Sequence, residues 1–534
     1  MWEGLKKFQI KEFVRILAYT IVLLSSEVLC RKILGFDACQ KPFEEGLLIF
    51  FVVALMAYSK WWITKLTIAF FYFLATACNN IHFTIYEGWL NGVNMYLALT
   101  ETNEVLRVGV SMLSELIVPV LWGLCECIFL LTVNVHNDKR KYSIADVLWL
   151  CLIFFVSGRS FSTKQEHGIF CKPAYGRVKA SYFAIGYFLG HMLPYRLLNL
   201  GNLPMYTHTT PNKIFDTKLK NIVFIMGESE SASHVNVFGY ERNTSPFMKE
   251  LSERDDAVVK QSYSAGFMTA VSVPTIFNAV PWPNGQQHIN QGNTNLLRLA
   301  KEQGFETFYF SAHAENDMNI IQPIGKRWID NLVFPTNLGY SIEDPCSDHK
   351  LIEQFDKIDL SQGKHFIVLQ QRGSHGPYGS LLTDEEKKPF GGMDRYDLYD
   401  DTILMTDRLI RYAYDRLIAT GGKDWLLIYT SDHGQYVTRK VANQGTKHPE
   451  CYIVPLVITS ADSGVMQEAK EDFSRCEMAS HYQMGSFIIR VLGYDYPRAN
   501  MEKIVINSRT LDGESGYMEI VGGQEKFVIP GQKN

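Results

Sequence analysis

Five apolar stretches crowd the first 160 residues, at about 13–34, 42–59, 61–80, 108–133 and 143–160. Each supplies the roughly 17–25 residues that a helix needs to cross a ~30 Å hydrocarbon core. They predict a five-helix transmembrane domain over residues 1–160. The second stretch is the weakest, because its apolar core, GLLIFFVVALMAY, is short and begins behind Glu44 and Glu45. A cleaved signal peptide would account for the first stretch alone, but four more follow and no small-x-small cleavage site stands out. The N-terminus carries Lys6, Lys7, Lys11 and Arg15, and Lys139, Arg140 and Lys141 fill the loop before the last span, whereas residues 81–106 hold no Lys or Arg. The positive-inside rule then sets the N-terminus in the cytoplasm and everything after residue 160 outside it. Arg31 and Lys32 dissent; Trp61, Trp62 and Trp89 fall at span ends, as interfacial aromatics do.

The rest of the 534 residues has the texture of a soluble enzyme, so the mean hydropathy of −0.05 averages two unlike halves. With 52 Lys plus Arg against 56 Asp plus Glu, the formal charge is −4, and no basic domain marks a nucleic-acid partner. Glu115 and Glu126 fall within the fourth span, where carboxylates raise a functional question. Residues 161–217 contain SYFAIGYFLGHMLPYRLLNLG, aromatic and low in charge, which reads as a bridging helix at the membrane interface. After the last span only Cys171, Cys346, Cys451 and Cys476 occur, too few for a disulfide framework, although one or two bridges stay open.

From about 218 to 534 short β-type runs alternate with helical patterns. NIVFIM (221–226), HFIVLQ (365–370), WLLIYT (425–430) and YIVPLVIT (452–459) read as buried parallel strands, with helices at 293–303 and 399–419 between them. The alternation predicts an α/β domain with a mostly parallel sheet. Ligands of such sheets bind beyond the carboxyl ends of the strands. Three of these ends lead into Glu228, into His375, and into Asp432-His433-Gly434. With His448 in TKHPE, they form a set of oxygen and imidazole donors without thiolate, which suits zinc or manganese. A hydroxyl nucleophile could be activated there by a divalent metal. Residues 264–274 offer Ser264, Thr269 and Ser272, and the residues alone do not choose among them, since a hydroxyl at a helix start is often only a cap.

Five blocks in order, VFIMGES with NVFGYERNTSPFM, MTAVSVPTIFN, FIVLQQRGSHGPY, YDDTILMTDRLI and SDHGQ, resemble the phosphoethanolamine transferases of Gram-negative inner membranes. That group includes the lipid A enzymes and the mobile colistin-resistance enzymes, and lies within the alkaline phosphatase/sulfatase superfamily. The resemblance spans essentially the whole chain. It implies an alkaline phosphatase/sulfatase-like catalytic domain in the periplasm, with Thr269 as nucleophile. Glu228, Thr269, Asp432 and His433 would hold one tight zinc, and His375 and His448 would contact the substrate phosphate or a second zinc. Phosphoethanolamine would pass from phosphatidylethanolamine through Thr269 to a glycolipid or glycan acceptor. The chain would act as a monomer, and polymyxin resistance would follow if the acceptor is lipid A. In the 81–106 loop, Thr100 and Glu104 match two donor-lipid contacts of the family, while the third position is Tyr96, with Asn94 close by.

Three departures put the acceptor in doubt. Ala265 and Thr275 stand where the lipid A enzymes flank the nucleophile with a disulfide. SAHAENDM stands where they carry a phosphate-contacting Lys; His313 there could supply a replacement contact, with an isolated surface histidine the plainer reading. The family's other catalytic-domain disulfides have no cysteines to form them here. A glycerol-phosphate transferase like the lipoteichoic acid synthases is the nearest rival, though GES and TAVSVP match it less well. A simple sulfatase would need a Cys/Ser-x-Pro-x-Arg signature, absent near Thr269. A catalytically inactive membrane sensor would have lost one of the four ligands.

Overall fold

The computed structural model describes the chain except for residues 1, 87, 93, 96–97, 99–112, 134–142, 164–170, 172–173, 198–202, 319, 392–393, 440–441, 509, 514–515 and 529–534. The chain divides into two compact units, Met1–Gly201 and Asn202–Asn534.

The N-terminal unit is helical. Its helices are Trp2–Leu34, Pro42–Tyr58, Trp62–Phe73 running through a π turn into Asn79–Tyr86, Leu113–Leu131, Ile144–Thr163 and Arg177–Tyr187. Trp62, Ile144 and Phe154 are more than 70% exposed, as side chains facing lipid would be. Among the described residues, Ile10–Leu34 and Trp62–Thr84 are long and apolar enough to cross a membrane. The interior holds an ion cluster. The Arg177 guanidinium is buried between Glu27 and Glu126, lies 2.9 Å from the latter, and also donates to Asn80. Glu126 further accepts from Ser26 at 2.6 Å, so it balances a buried cation. Within the predicted bridging segment, the helix Arg177–Tyr187 buries Arg177, Val178, Ala180, Ser181 and Ala184. Glu45 caps its start by accepting from the Val178 amide at 2.7 Å. Gly176 admits that carboxylate because a Cβ there would come within 1.8 Å of it.

The second unit is built on an eight-stranded sheet. Its strands are β1 (Asn221–Gly227), β2 (Ala257–Tyr263), β3 (Glu306–Ser311), β4 (Asn331–Val333), β5 (His365–Gln370), β6 (Trp425–Ser431), β9 (Ile453–Ser460) and β10 (Ala479–Ser480), in the order β10-β2-β9-β6-β1-β5-β3-β4; β7 (Tyr436–Val437) and β8 (Ala442–Asn443) form a separate ribbon. The pairs of β1 with β5 and β6, of β3 with β4 and β5, and of β10 with β2 are parallel. β9 is the exception: predicted as a parallel strand, it runs antiparallel to both β2 and β6. An apolar run shows burial on both faces but not direction, which is why its sequence misled.

Both faces of the sheet are covered. Ile222, Phe224 and Met226 of β1 face one core with the helices Thr269–Phe277, Leu296–Glu302 and His481–Val491. Val223 and Ile225 face the other, with Pro246–Ser252, His349–Phe355 and Arg395–Ala419. Each such fully buried side chain contributes roughly 1.5–3 kcal/mol. A ribbon of three antiparallel strands, Lys503–Asn507, Tyr517–Val521 and Gln524–Val528, completes it. All ten cysteines are free, so the bridges left open by the sequence do not form. Two of the signature segments, NVFGYERNTSPFM and YDDTILMTDRLI, serve the scaffold. Arg242 donates to Asp397 and Asp400 of the long helix at 2.8 Å each, and Asp400 also takes Tyr240 at 2.8 Å and His234 at 2.7 Å. Asp407 of that helix accepts from the Phe247 and Met248 amides at 2.8 and 2.9 Å, capping Pro246–Ser252 from another element.

Candidate metal centre

Strands β1 and β6 are adjacent and parallel, with Gly227 opposite Ser431. The residues that follow each strand therefore emerge side by side, which brings Glu228 together with Asp432 and His433. The ligand atoms of these three buried residues all lie within 4.8 Å of one another, and they are the group of metal-binding side chains found among the described residues. Gly434 lets the turn close tightly, since a Cβ there would come within 2.0 Å of the Glu450 carbonyl. Ser229 sits at φ 61°, a strained conformation for a side-chain-bearing residue. It is held by its amide on Asp432 Oδ1 at 3.1 Å and its hydroxyl on Glu228 Oε1 at 2.7 Å.

Thr269 opens the helix Thr269–Phe277, whose start points the positive end of its dipole at the hydroxyl. Its Oγ1 lies 3.2 Å from Glu228 Oε2 and 3.2 Å from His433 Nε2. The other two hydroxyls are engaged elsewhere: Ser264 donates to the Gly266 carbonyl and Ser272 to that of Asp432. Thr269 is thus the one of the three that meets the cluster. It caps nothing, since the residue before it, Met268, holds the N-cap position.

The electrostatics favour a divalent cation. His433 donates from Nδ1 to the Gly434 carbonyl at 2.9 Å, which leaves Nε2 facing the cluster with its lone pair. Burial raises Asp432, and the charge of Glu228 adds to it, bringing Asp432 to about 7. Burial opposes the charge of Glu228 too, but His433, His313 and His375 outweigh it and hold Glu228 at about 2. Two adjacent buried carboxylates driven apart in this way repel each other, and a divalent cation between them would relieve that repulsion. Asp432 Oδ2 is buried with no hydrogen-bond partner. An orphaned carboxylate oxygen beside a second carboxylate, an imidazole and a hydroxyl fits zinc or a similar ion.

The other predicted residues fall differently. The His375 ring is 6.4 Å from that of His313 at the edge of the cluster, and its Nδ1 donates to the Gly376 carbonyl at 2.6 Å. His448 is exposed, with its ring 4.1 Å from that of Tyr436, and has no described contact with the cluster. Thr100, Glu104 and Tyr96 lie outside the described residues, while Asn94 pairs with His82. Ala265 is buried, and Thr275 donates to the Val271 carbonyl within its own helix.

His313 departs from the expectation of a surface residue. It is 4% exposed, with Nε2 at 3.5 Å from Glu228 Oε2 and Nδ1 accepting from Arg372 at 3.4 Å. Arg372 itself was not singled out from sequence. Both follow strand ends, β3 and β5. For β3 the signal was missed because ETFYFS begins with Glu and carries only one β-branched residue.

The family model described as Sulfatase matches residues 220–493. The chain is 23% identical over 323 residues to the Kdo(2)-lipid A phosphoethanolamine 7''-transferase of Escherichia coli K12, covering 55% of this chain and 54% of that one. It is 26% identical over 255 residues to the phosphoethanolamine transferase EptA of Salmonella typhimurium, covering 44% and 45%. The match thus spans about half the length of these curated relatives. A solved structure of the integral membrane lipooligosaccharide phosphoethanolamine transferase A of Neisseria meningitidis is similar at 18% identity and TM-score 0.45, covering 90% of this chain and 95% of that one. With the family model covering residues 220–493, just over half of its length, the chain belongs to the sulfatase family.

Proposed function

We propose that this chain is a membrane-anchored phosphoethanolamine transferase that moves the group from phosphatidylethanolamine, through a phosphothreonine at Thr269, to an envelope glycan or lipopolysaccharide acceptor. The single observation that carries the reading is the Thr269 hydroxyl at 3.2 Å from both Glu228 and His433. The names of the curated relatives supply the transferred group. Five spans with the N-terminus inside, and a catalytic unit in the periplasm of a Gram-negative cell, belong to the same proposal.

Zinc held by Glu228, Thr269, Asp432 and His433 would supply Lewis-acid stabilisation of a Thr269 alkoxide and of charge on phosphorus. The chain's own residues do the rest. Glu228 lies within reach of the Thr269 proton. Thr269 Oγ then attacks phosphorus, the bond to the diacylglycerol oxygen breaks, and that oxygen leaves with a proton as diacylglycerol. In the second half an acceptor hydroxyl attacks the same phosphorus and loses its proton, and the bond to Thr269 breaks, restoring the hydroxyl. The helix Thr269–Phe277 assists both halves by favouring negative charge at its start.

The test is to supply the full chain with labelled phosphatidylethanolamine or phosphatidylglycerol. Release of diacylglycerol from the first alone, with the label held on Thr269 in the absence of acceptor, is the expected result. Consumption of phosphatidylglycerol instead would replace the reading with a glycerol-phosphate transferase. Turnover of neither lipid would favour the inactive sensor.

A further inference from the structure

A cavity of about 260 Å³ opens in the second unit between the helices His349–Phe355 and Arg395–Ala419 and the loop that follows β5. It shares two residues, Arg372 and His375, with the edge of the metal centre. Arg372 reaches His313, which in turn lies 3.5 Å from Glu228, so the cavity approaches the cluster from the side of His313. Leu382 and Leu409 give it apolar wall, and its size is near the lower end for small-ligand sites, enough for about one sugar ring.

Two carboxylates and two guanidiniums line it. Asp348 and Glu386 line it, but both are committed to the protein. Asp348 accepts from the amides of Arg372 at 2.7 Å and Gly373 at 3.1 Å. Glu386 accepts from the Thr383 amide at 2.8 Å and from His349 at 2.7 Å. The two guanidiniums are held less closely, although Arg372 feels the charges of Glu228, Asp317 and Asp348. Arg372 donates to His313 and to the Gly376 carbonyl, each at 3.4 Å, and Arg408 rests on the sulfur of Met405 at 3.6 Å. Among the described residues neither forms an ion pair. Two guanidiniums outside any described ion pair thus line one small cavity, and such planar groups suit an oxyanion, which takes paired hydrogen bonds from them.

We propose that this cavity binds an oxyanion on the acceptor, a phosphate monoester or carboxylate borne by a sugar, with Arg372 and Arg408 as its counter-charges. The assignment to the acceptor rests on the transfer reading above. It sets the direction from which the second substrate arrives: anchored by its anion, it would present a hydroxyl past His375 toward Thr269. A neutral glycan would lack that anchor.

The experiment measures equilibrium binding of glucose 6-phosphate, glucuronate and glucose to the full-length chain carrying Thr269→Ala, so that no covalent step intervenes. One or both anionic sugars should bind at least about tenfold more tightly than glucose, and the tighter of the two identifies which anion the site takes. Arg408→Glu should weaken the anionic sugar about tenfold or more at an unchanged melting temperature, and Arg408→Lys should retain most of the affinity. Binding should survive removal of metal by a chelator. Equal affinity for glucose and both anions, indifference to Arg408→Glu, or loss of binding with the metal would each overturn the proposal. If Arg408-dependent binding holds while the unmodified chain consumes no phosphatidylethanolamine, the oxyanion site stands and the transfer reading fails.

Discussion

Thr269 is only partly buried, and its hydroxyl meets Glu228 and His433. Thr269→Ala should therefore change stability by less than about 0.5 kcal/mol, while transfer falls by orders of magnitude, because Ser264 and Ser272 are tied to backbone carbonyls. Thr269→Ser keeps the oxygen and should retain partial activity. Rates of diacylglycerol release for the two variants check this, and near-normal turnover by the alanine variant would remove Thr269 from the reaction. A second residue, His481, governs a pH effect. Burial brings it down to about 3, and its neutral ring accepts from the Ala265 amide at 3.0 Å and meets Thr430 Oγ1 at 2.9 Å. The unfolded chain binds a proton at this histidine below about 6.5, and the folded chain does not until about 3. Its contribution is thus complete above 6.5 and lost as pH falls toward 3, at about 1.4 kcal/mol per pH unit. Denaturant titrations at several pH values should show a shallower loss of stability between pH 6 and 4 for His481→Asn than for the unmodified chain. Parallel slopes would refute the assignment.

At the scale of elements, the helix Arg395–Ala419 does more than cover the sheet. Asp397, Asp400 and Asp407 on it hold the loop and the short helix that follow β1. Asp407→Ala should cost about 1–3 kcal/mol, because it strands two buried amide donors. Arg242→Ala should cost about 2–3 kcal/mol, because fully buried Asp400 would lose its one strong cation. Urea unfolding of the second unit measures both, and changes under about 0.5 kcal/mol would show the clamp to be incidental. The same clamp explains why a resemblance carried by five blocks was legible without a structure. Two of the quoted segments, NVFGYERNTSPFM and YDDTILMTDRLI, hold none of the candidate metal ligands; they brace each other behind β1.

For the whole molecule, two measurements bear on metal and membrane. Elemental analysis should find at least one zinc per chain, and a chelator should lower the melting temperature of the second unit, since a ligand at about 1,000 times its Kd adds about 4 kcal/mol. Full activity in chelator with no bound metal would sink the metal assignment. For topology, fluorescent protein fused after residue 142 should light up in the cytoplasm, and a fusion after residue 534, exported unfolded, should stay dark. The reverse pattern would invert the orientation drawn from the basic residues.

What the amino-acid order settled unaided follows from local periodicity. Apolar length marked the helices of the first unit, and short β-branched runs marked β1, β5 and β6 close to their observed limits. Direct adjacency in the chain joined Asp432 to His433 and set both at a strand end. Long-range pairing lay beyond that reach. The direction of β9, the choice of Thr269 over Ser264 and Ser272, the burial of His313 against Glu228, and the pairing of Arg177 with Glu27 and Glu126 each depend on residues many positions apart. A strand's burial is written in its own residues, but its neighbours and the direction in which they run are fixed only when the sheet closes. The cavity beside the metal centre belongs wholly to that second category, for its two arginines line one space only because a loop and a helix fold against each other.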